Sequence, residues 1–188
     1  MKTVQQQYIA TYEIKKSKFI AHLVPIDEFN GLQEKLRANH PKSRHVVYAL
    51  RYLNEFDQIV ENLSDDGEPK GSSAQPALNV LRGENMINVA VLIVRYFGGI
   101  KLGIGGLVRA YGNVVKEVIA NSNTIIYEKM LRYDFKTTYS DIQKIEYLLD
   151  KYKIKDIKRE FLNDGVQWDI STTQNRLDQF KENKKCMR

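Results

Sequence analysis

A chain of 188 residues, 43% of them apolar, is long enough to bury a core as one ordinary domain or two small ones. Its single cysteine, Cys186, excludes an internal disulfide framework and favours a reducing compartment, while the absence of an apolar leader after Met1-Lys2 and of any apolar run near the ~20 residues of a membrane span predicts a soluble, cytoplasmic protein with no membrane partner. Lys and Arg outnumber Asp and Glu by 29 to 23, and the resulting +6 charge and pI of about 9.2 admit an acidic partner such as nucleic acid, or simply a solvated basic face.

Residues 8–24 read as two strands joined around Lys15-Lys16-Ser17. In the second, Phe19, Ala21 and Leu23 share one face and Ile20, His22 and Val24 the other, which predicts a strand inside a sheet. Asp27 can cap a helix over Glu28 to Ala38, with Phe29, Leu32 and Leu36 as its buried stripe. His45 to Tyr52 is rich in β-branched and aromatic residues and predicts a strand. A turn over Asn54 to Gln58 and a short strand over Gln58 to Asn62 follow. Ser64 to Pro76, SDDGEPKGSSAQP, is an aperiodic loop, long for a compact domain and therefore functional or mobile. Pro76 opens a short helix carrying Leu78 and Leu81 and closed by Gly83.

Asn88 to Val94 is the most hydrophobic strand and the expected centre of the sheet. Ile104 to Ala120 is the main helix, and Gly112 within it marks close packing against the sheet. After the break at Asn121-Ser122-Asn123, Thr124 to Tyr127 reads as a returning strand. Glu128-Lys129 opens a second unit, giving domains over 1–128 and 129–188. The second unit reads as a strand (131–138), a helix (139–151) capped by Ser140 or Asp141, a strand (154–162), a hairpin turn at Asn163-Asp164-Gly165, a strand (166–172) carrying a core Trp168, and a helix (175–185). That order, β-α-β-β-α, is one strand short of a ferredoxin-like unit.

Five glycines, Gly98, Gly99, Gly103, Gly105 and Gly106, fall within nine residues between the central strand and the main helix. One reading is a nest of backbone N–H groups at a helix N-terminus, suited to phosphate, with Arg95, Lys101 and Arg109 adding charge. The other is a tight crossover at a sheet edge. Neither GxxxxGK[ST] nor GxGxxG is satisfied. Asp65, Asp66 and Glu68 could offer oxygen ligands to Mg²⁺, or could bond to their own turn. Ser72-Ser73 has no base at a recognised spacing. His22, His40 and His45 form no metal pattern, and His45 beside Arg44 is the best placed of them to face solvent. Tyr48, Tyr52, Tyr96, Phe97 and Tyr111 could stack bases or fill the core. Residues 151–188 carry ten Lys/Arg against six Asp/Glu, a mild basic bias.

Taken together, Lys16-Ser17-Lys18-Phe19-Ile20, Arg44-His45, Ser64-Asp65-Asp66-Gly67-Glu68-Pro69 and the run from Arg95-Tyr96-Phe97-Gly98-Gly99 through Leu102-Gly103, Gly105-Gly106-Leu107 and Arg109-Ala110-Tyr111-Gly112 resemble the IMPACT family, also known as YigZ or uncharacterised protein family 0029. The resemblance covers about residues 1–125, with a weaker likeness to the C-terminal domain of bacterial members beyond. It implies an α+β fold. The N-terminal domain would resemble the second domain of a small-subunit ribosomal protein and the ribonuclease PH superfamily, with a left-handed βαβ crossover. The C-terminal domain would be ferredoxin-like, similar to domain V of elongation factor G and lacking its last strand. Both likenesses imply RNA or ribosome binding with a role in translation or its regulation. The family pattern marks His45, Asp65, Asp66, Glu68, Arg95 and Arg109 as a shared surface and brings no catalytic role.

Two departures stand out. The family usually reads Gly-Thr-Ala-Gly-x-Pro where this chain has Gly71-Ser72-Ser73-Ala74-Gln75-Pro76, which weakens a fixed backbone pocket in that loop. The missing last strand would leave an open sheet edge, compatible with a monomer, a homodimer or a covering partner. Three functions therefore stay open. The first is a non-enzymatic RNA- or ribosome-binding protein without a cofactor. The second is a Mg²⁺-dependent hydrolase or phosphoryl-processing enzyme, for which Asp65, Asp66, Glu68 and His45 must converge beside the glycine turn. The third is a protein-interaction module in stress regulation.

Overall fold

The computed structural model describes residues 1–185, so Cys186 lies outside the described residues. The fold is α+β and divides into two compact units, Met1–Tyr127 and Glu128–Arg188.

The first unit contains β1 (Lys2–Thr3), β2 (Tyr8–Ile14), β3 (Ser17–Pro25), α1 (Phe29–Asn39), β4 (His45–Leu53), β5 (Ile59–Ser64), α2 (Ala74–Gly83), β6 (Val89–Tyr96), α3 (Ile104–Ala120) and β7 (Ile125–Ile126). Five strands form one sheet in the order β2-β3-β6-β4-β5, with every neighbouring pair antiparallel. β3 and β4 therefore run in the same sense on either side of β6, and β5 and β6 do so on either side of β4. Strand β6 is central, and its residues Val89 to Val94 are wholly buried because both faces of the sheet are covered. Phe19, Ala21, Leu23, Val47, Ala49, Val91 and Ile93 pack under α2 and α3 on one face. Val24, Val46, Leu50, Ala90, Leu92 and Val94 pack under Phe29, Leu32 and Leu36 of α1 on the other.

Several boundaries differ from expectation for identifiable reasons. A 3₁₀ turn over Ile26–Glu28 precedes α1, and no side chain caps either element, so Asp27 is not the cap. Strand β5 extends to Ser64, beyond the expected Asn62, because Tyr48 pairs with Ser64. Helix α2 starts at Ala74, so Pro76 lies within its first turn, where a missing N–H costs no intrahelical bond. Gly112 does not mark contact with the sheet: a Cβ there would meet Val80 of α2 at 4.0 Å. The returning strand β7 pairs antiparallel with β1, a two-residue strand that carries no periodic signal. His22 is buried, with Nδ1 2.8 Å from Gln7 Nε2 and Nε2 unpartnered, and burial, aided by His40, lowers its pKa to about 4. His40 Nδ1 is 2.6 Å from the Tyr96 hydroxyl.

The second unit contains β8 (Met130–Thr137), α4 (Ile142–Lys151), β9 (Asp156–Leu162), β10 (Gly165–Thr173) and α5 (Gln174–Lys185). Its three antiparallel strands take the order β8-β10-β9, and no fourth strand joins them among the described residues. A 3₁₀ turn over Tyr139–Asp141 precedes α4; neither Ser140 nor Asp141 makes a cap bond, and Thr138 bonds Asp141 instead. Trp168, 1% exposed, stacks on Phe135 and donates Nε1 to Thr137 Oγ1 at 2.9 Å. The helices line Val166, Trp168 and Ile170, while Phe161 on the edge strand β9 stays exposed.

Candidate functional site

Strand β6 leaves the sheet at Tyr96-Phe97, and the glycine turn then lies directly on the β2–β3 hairpin. A Cβ at Gly98 would sit 2.0 Å from the Lys16 carbonyl carbon and 2.3 Å from the Ser17 nitrogen, so only glycine fits. The Gly98 N–H donates to the hydroxyl of fully buried Ser17 at 3.1 Å. Gly99 and Gly103 have φ of +85° and +73°. Gly103 caps α3, and its carbonyl accepts the Leu107 N–H at 2.9 Å. The amides of Ile104, Gly105 and Gly106 precede that first intrahelical bond and form the positive end of the helix dipole.

Beside this turn is a cleft of about 740 Å³. Its floor is the end of the sheet, where Arg95 is in register with His45 on β4 and Phe19 on β3. Arg95 is 8% exposed, so it does not present a free charge to solvent as expected. It donates Nη1 to Glu68 Oε1 at 2.6 Å, and the Tyr111 hydroxyl donates to the same oxygen at 2.9 Å. Burial and the Glu68 carboxylate push the Tyr111 hydroxyl well above the usual tyrosine range, keeping it a donor. The guanidinium lies between the rings of Phe19 and Phe97, 5.5 and 5.7 Å from their centroids.

The acidic loop shapes this floor and does not gather into a metal site. Asp65 accepts the Gly71 N–H at 2.8 Å, the Ala74 N–H at 2.9 Å and the Ser73 hydroxyl at 2.5 Å, tying the loop to the start of α2. Burial opposes its charge, but the hydrogen bonds from Ser73, Gly71 and Ala74 outweigh it and hold the carboxyl below its usual range. Asp66 turns the other way, taking the Val46 N–H at 2.6 Å and Arg37 Nη2 at 2.8 Å, while its carbonyl oxygen lies 2.7 Å from His45 Nδ1. Glu68 belongs to Arg95. Among the described residues, no group of three or more His, Cys, Asp or Glu side chains is placed to hold a metal ion. Asp65, Asp66 and Glu68 therefore do not converge as the enzyme reading needs, because each carboxylate faces separate protein partners. Ser72 and Ser73 are fully buried and donate to the Pro69 carbonyl and to Asp65, which leaves no nucleophile there.

The free charge of the cleft is on its rim. Lys42, Arg44 and Lys101 all line it, all are exposed, and none is in an ion pair among the described residues. Pro69, Phe97, Leu102, Ile104 and Leu107 supply apolar walls, and Phe97 is 56% exposed. Arg109 is exposed with no ion pair among the described residues, but does not line the cleft; its Nη1 would lie 3.6 Å from a Cβ at Gly105. Lys42 was not anticipated, and its place two residues before Arg44 was the only signal for it.

The N-terminal portion, residues 15–119, matches the model of the Impact N-terminal domain. The chain is 34% identical over 161 residues to an IMPACT family member of Haemophilus influenzae, covering 84% of this chain and 76% of that one. It is 33% identical over 173 residues to the IMPACT family member YvyE of Bacillus subtilis, covering 90% and 78%. It is 33% identical over 95 residues to Protein IMPACT of Rattus norvegicus, a match limited to 47% of this chain and 29% of that one. A solved structure described as that of a hypothetical protein superposes with a TM-score of 0.67 at 29% identity, covering 97% of this chain and 89% of that one, and it shares the two sheet-and-helix regions. No helix among the described residues is long and apolar enough to cross a membrane. With the signature segments meeting at one cleft and relatives matching across both units, the chain belongs to the IMPACT family, the YigZ or uncharacterised protein family 0029 group.

Proposed function

We propose that this protein binds nucleic acid, as an RNA- or ribosome-associated factor in translation or its regulation, and that the cleft beside the glycine turn is its contact surface. The observation that carries the reading is the convergence of Lys42, Arg44 and Lys101, none neutralised by a carboxylate among the described residues, with the N-terminal end of α3. A phosphate backbone meets both the side-chain charge and the amides there. The strand order β8-β10-β9 supports the same reading, because it is the order expected of the first three strands of a ferredoxin-like unit. Binding of single-stranded RNA by the full chain should weaken steeply with salt. Removing Lys42, Arg44 or Lys101 should each reduce the slope of log affinity against log salt by about 1. Salt-independent binding, or slopes unchanged by all three substitutions, would remove the reading.

A protein partner is the second reading. Phe97 and Ile104 line the cleft at 56% and 67% exposure, and Ile100 and Val108, on the same turn and helix, are 46% and 38% exposed, apolar surface that a protein partner would cover. It predicts an interaction that survives high salt and is lost on Ile104→Asp.

A further inference from the structure

The floor of the cleft has hydrogen-bonding capacity that the protein leaves unused. Glu68 Oε1 accepts from both Arg95 and Tyr111, but no described residue donates to Oε2. An ionised carboxylate has about four lone-pair sites, so roughly two remain on the second oxygen. The Nε of Arg95 is also buried without a partner. Both side chains are more than nine-tenths buried, yet both line the cleft. Nε is closed off from the cleft, so Oε2 is the open acceptor of this ion pair, and a ligand donor that reaches it gains a charge-assisted hydrogen bond. Phe97 also lines the cleft; the Arg95 guanidinium lies over its ring, and the residue is still 56% exposed. A flat group could stack on it.

Resting on the nucleic-acid reading, we infer that the cleft takes one unpaired guanosine 5′-phosphate unit, with the base stacked on Phe97, its N–H edge on Glu68 and its phosphate at the Lys42–Arg44–Lys101 rim. Among the bases, guanine alone offers two adjacent parallel donors, N1–H and the 2-amino group, which one carboxylate oxygen can accept as a bifurcated pair. Adenine would set its N1 lone pair against the carboxylate. Uracil offers one N–H between two acceptors, and cytosine one amino group beside an acceptor. A base within a duplex has its edge already paired and cannot enter. The cleft, at about 740 Å³, is in the size range of small-molecule sites, about 300–1,000 Å³.

The test titrates the full chain, by fluorescence anisotropy, against labelled ten-residue RNAs of uridine carrying one central guanine, inosine or adenine. The guanine strand should bind about five- to a hundredfold tighter than the adenine strand. Inosine, lacking the 2-amino group, should fall about three- to tenfold below guanine. Phe97→Ala should weaken the guanine strand by about five- to a hundredfold with its melting temperature unchanged. Glu68→Gln should abolish the base preference and keep the salt slope, and the base series stands without it if that variant does not fold. Equal binding of all three strands, or of the guanine strand alone and annealed to its complement, overturns the base pocket while leaving the cationic reading in place. No RNA binding at all overturns both. Competition by 5′-GMP as tight as by the strand supports the pocket and overturns the polynucleotide reading instead.

Discussion

The floor and the rim of the cleft handle charge in opposite ways. On the floor, Arg95 and Glu68 neutralise each other beside the rings of Phe19 and Phe97 and are largely buried. On the rim, Lys42, Arg44 and Lys101 stand in solvent with no carboxylate partner among the described residues. A buried charge must be paired where it stands, because desolvation costs several kcal/mol per ion, whereas an exposed one tolerates being left open. The arginine with the strongest motif context is thus committed to an internal ion pair, and the less conspicuous cations nearby carry the open charge among the described residues.

This contrast can be broken in several ways. The largest effect should come from Glu68→Ala, which strands the Arg95 guanidinium in the floor and should lower unfolding free energy by about 3–5 kcal/mol in urea titration. Next is Gly98→Ala. Its Cβ would overlap backbone and not the movable end of a side chain, so a loss of about 3 kcal/mol, at the upper end of overpacking, is expected in the same assay.

Asp65→Asn should cost about 1–2 kcal/mol by weakening the tie to α2. It should also change the acid limb of stability. Asp65 is held below its usual pKa in the fold, so its contribution is present above about pH 4 and lost as pH falls through the depressed folded value. The variant should lack that component when thermal midpoints are measured against pH. His22 acts over a higher window. Its folded pKa of about 4 against the ordinary 6.5 makes the native state the weaker proton binder, so stability should decline as pH falls from 6.5 to about 4 and level off below. His22→Gln should remove that decline. The smallest stability effects should be those of Lys42→Ala and Lys101→Ala, within about 0.5 kcal/mol, although these two should alter RNA affinity most clearly with salt. A large stability loss at either would show that the rim is structural too.

Much of the fold was legible because local pattern and tertiary role agree. Val89 to Val94 reads as a strand buried on both faces and is one. The alternation of Phe19, Ala21 and Leu23 against Ile20, His22 and Val24 also matches the two cores on either side of β3. What was not legible depends on partners distant in sequence. Helix α2 begins two residues before Pro76 because Asp65, nine positions before Ala74, takes up its first amide. Arg95 looks like a surface cation until Glu68, 27 positions away, is placed against it. The pairing of β1 with β7 joins two-residue strands at opposite ends of the first unit, and such strands have no period to detect. Of the candidate site, the glycine turn, Arg44, His45 and Lys101 were visible from composition, whereas Lys42 enters only because the turn before β4 faces the cleft.

The near-contact of Gly98 with Lys16 and Ser17 has a consequence for how this protein can vary. The first hairpin serves as a gauge for the mouth of the cleft: its peptide plane fills the volume that a side chain at position 98 would need. Lengthening the Lys15-Lys16 bend by a single residue would shift that plane and move the loop carrying Lys101 with it. Loop-grafting between relatives should therefore exchange the two segments as a matched set, since either one transplanted alone would arrive without its mould.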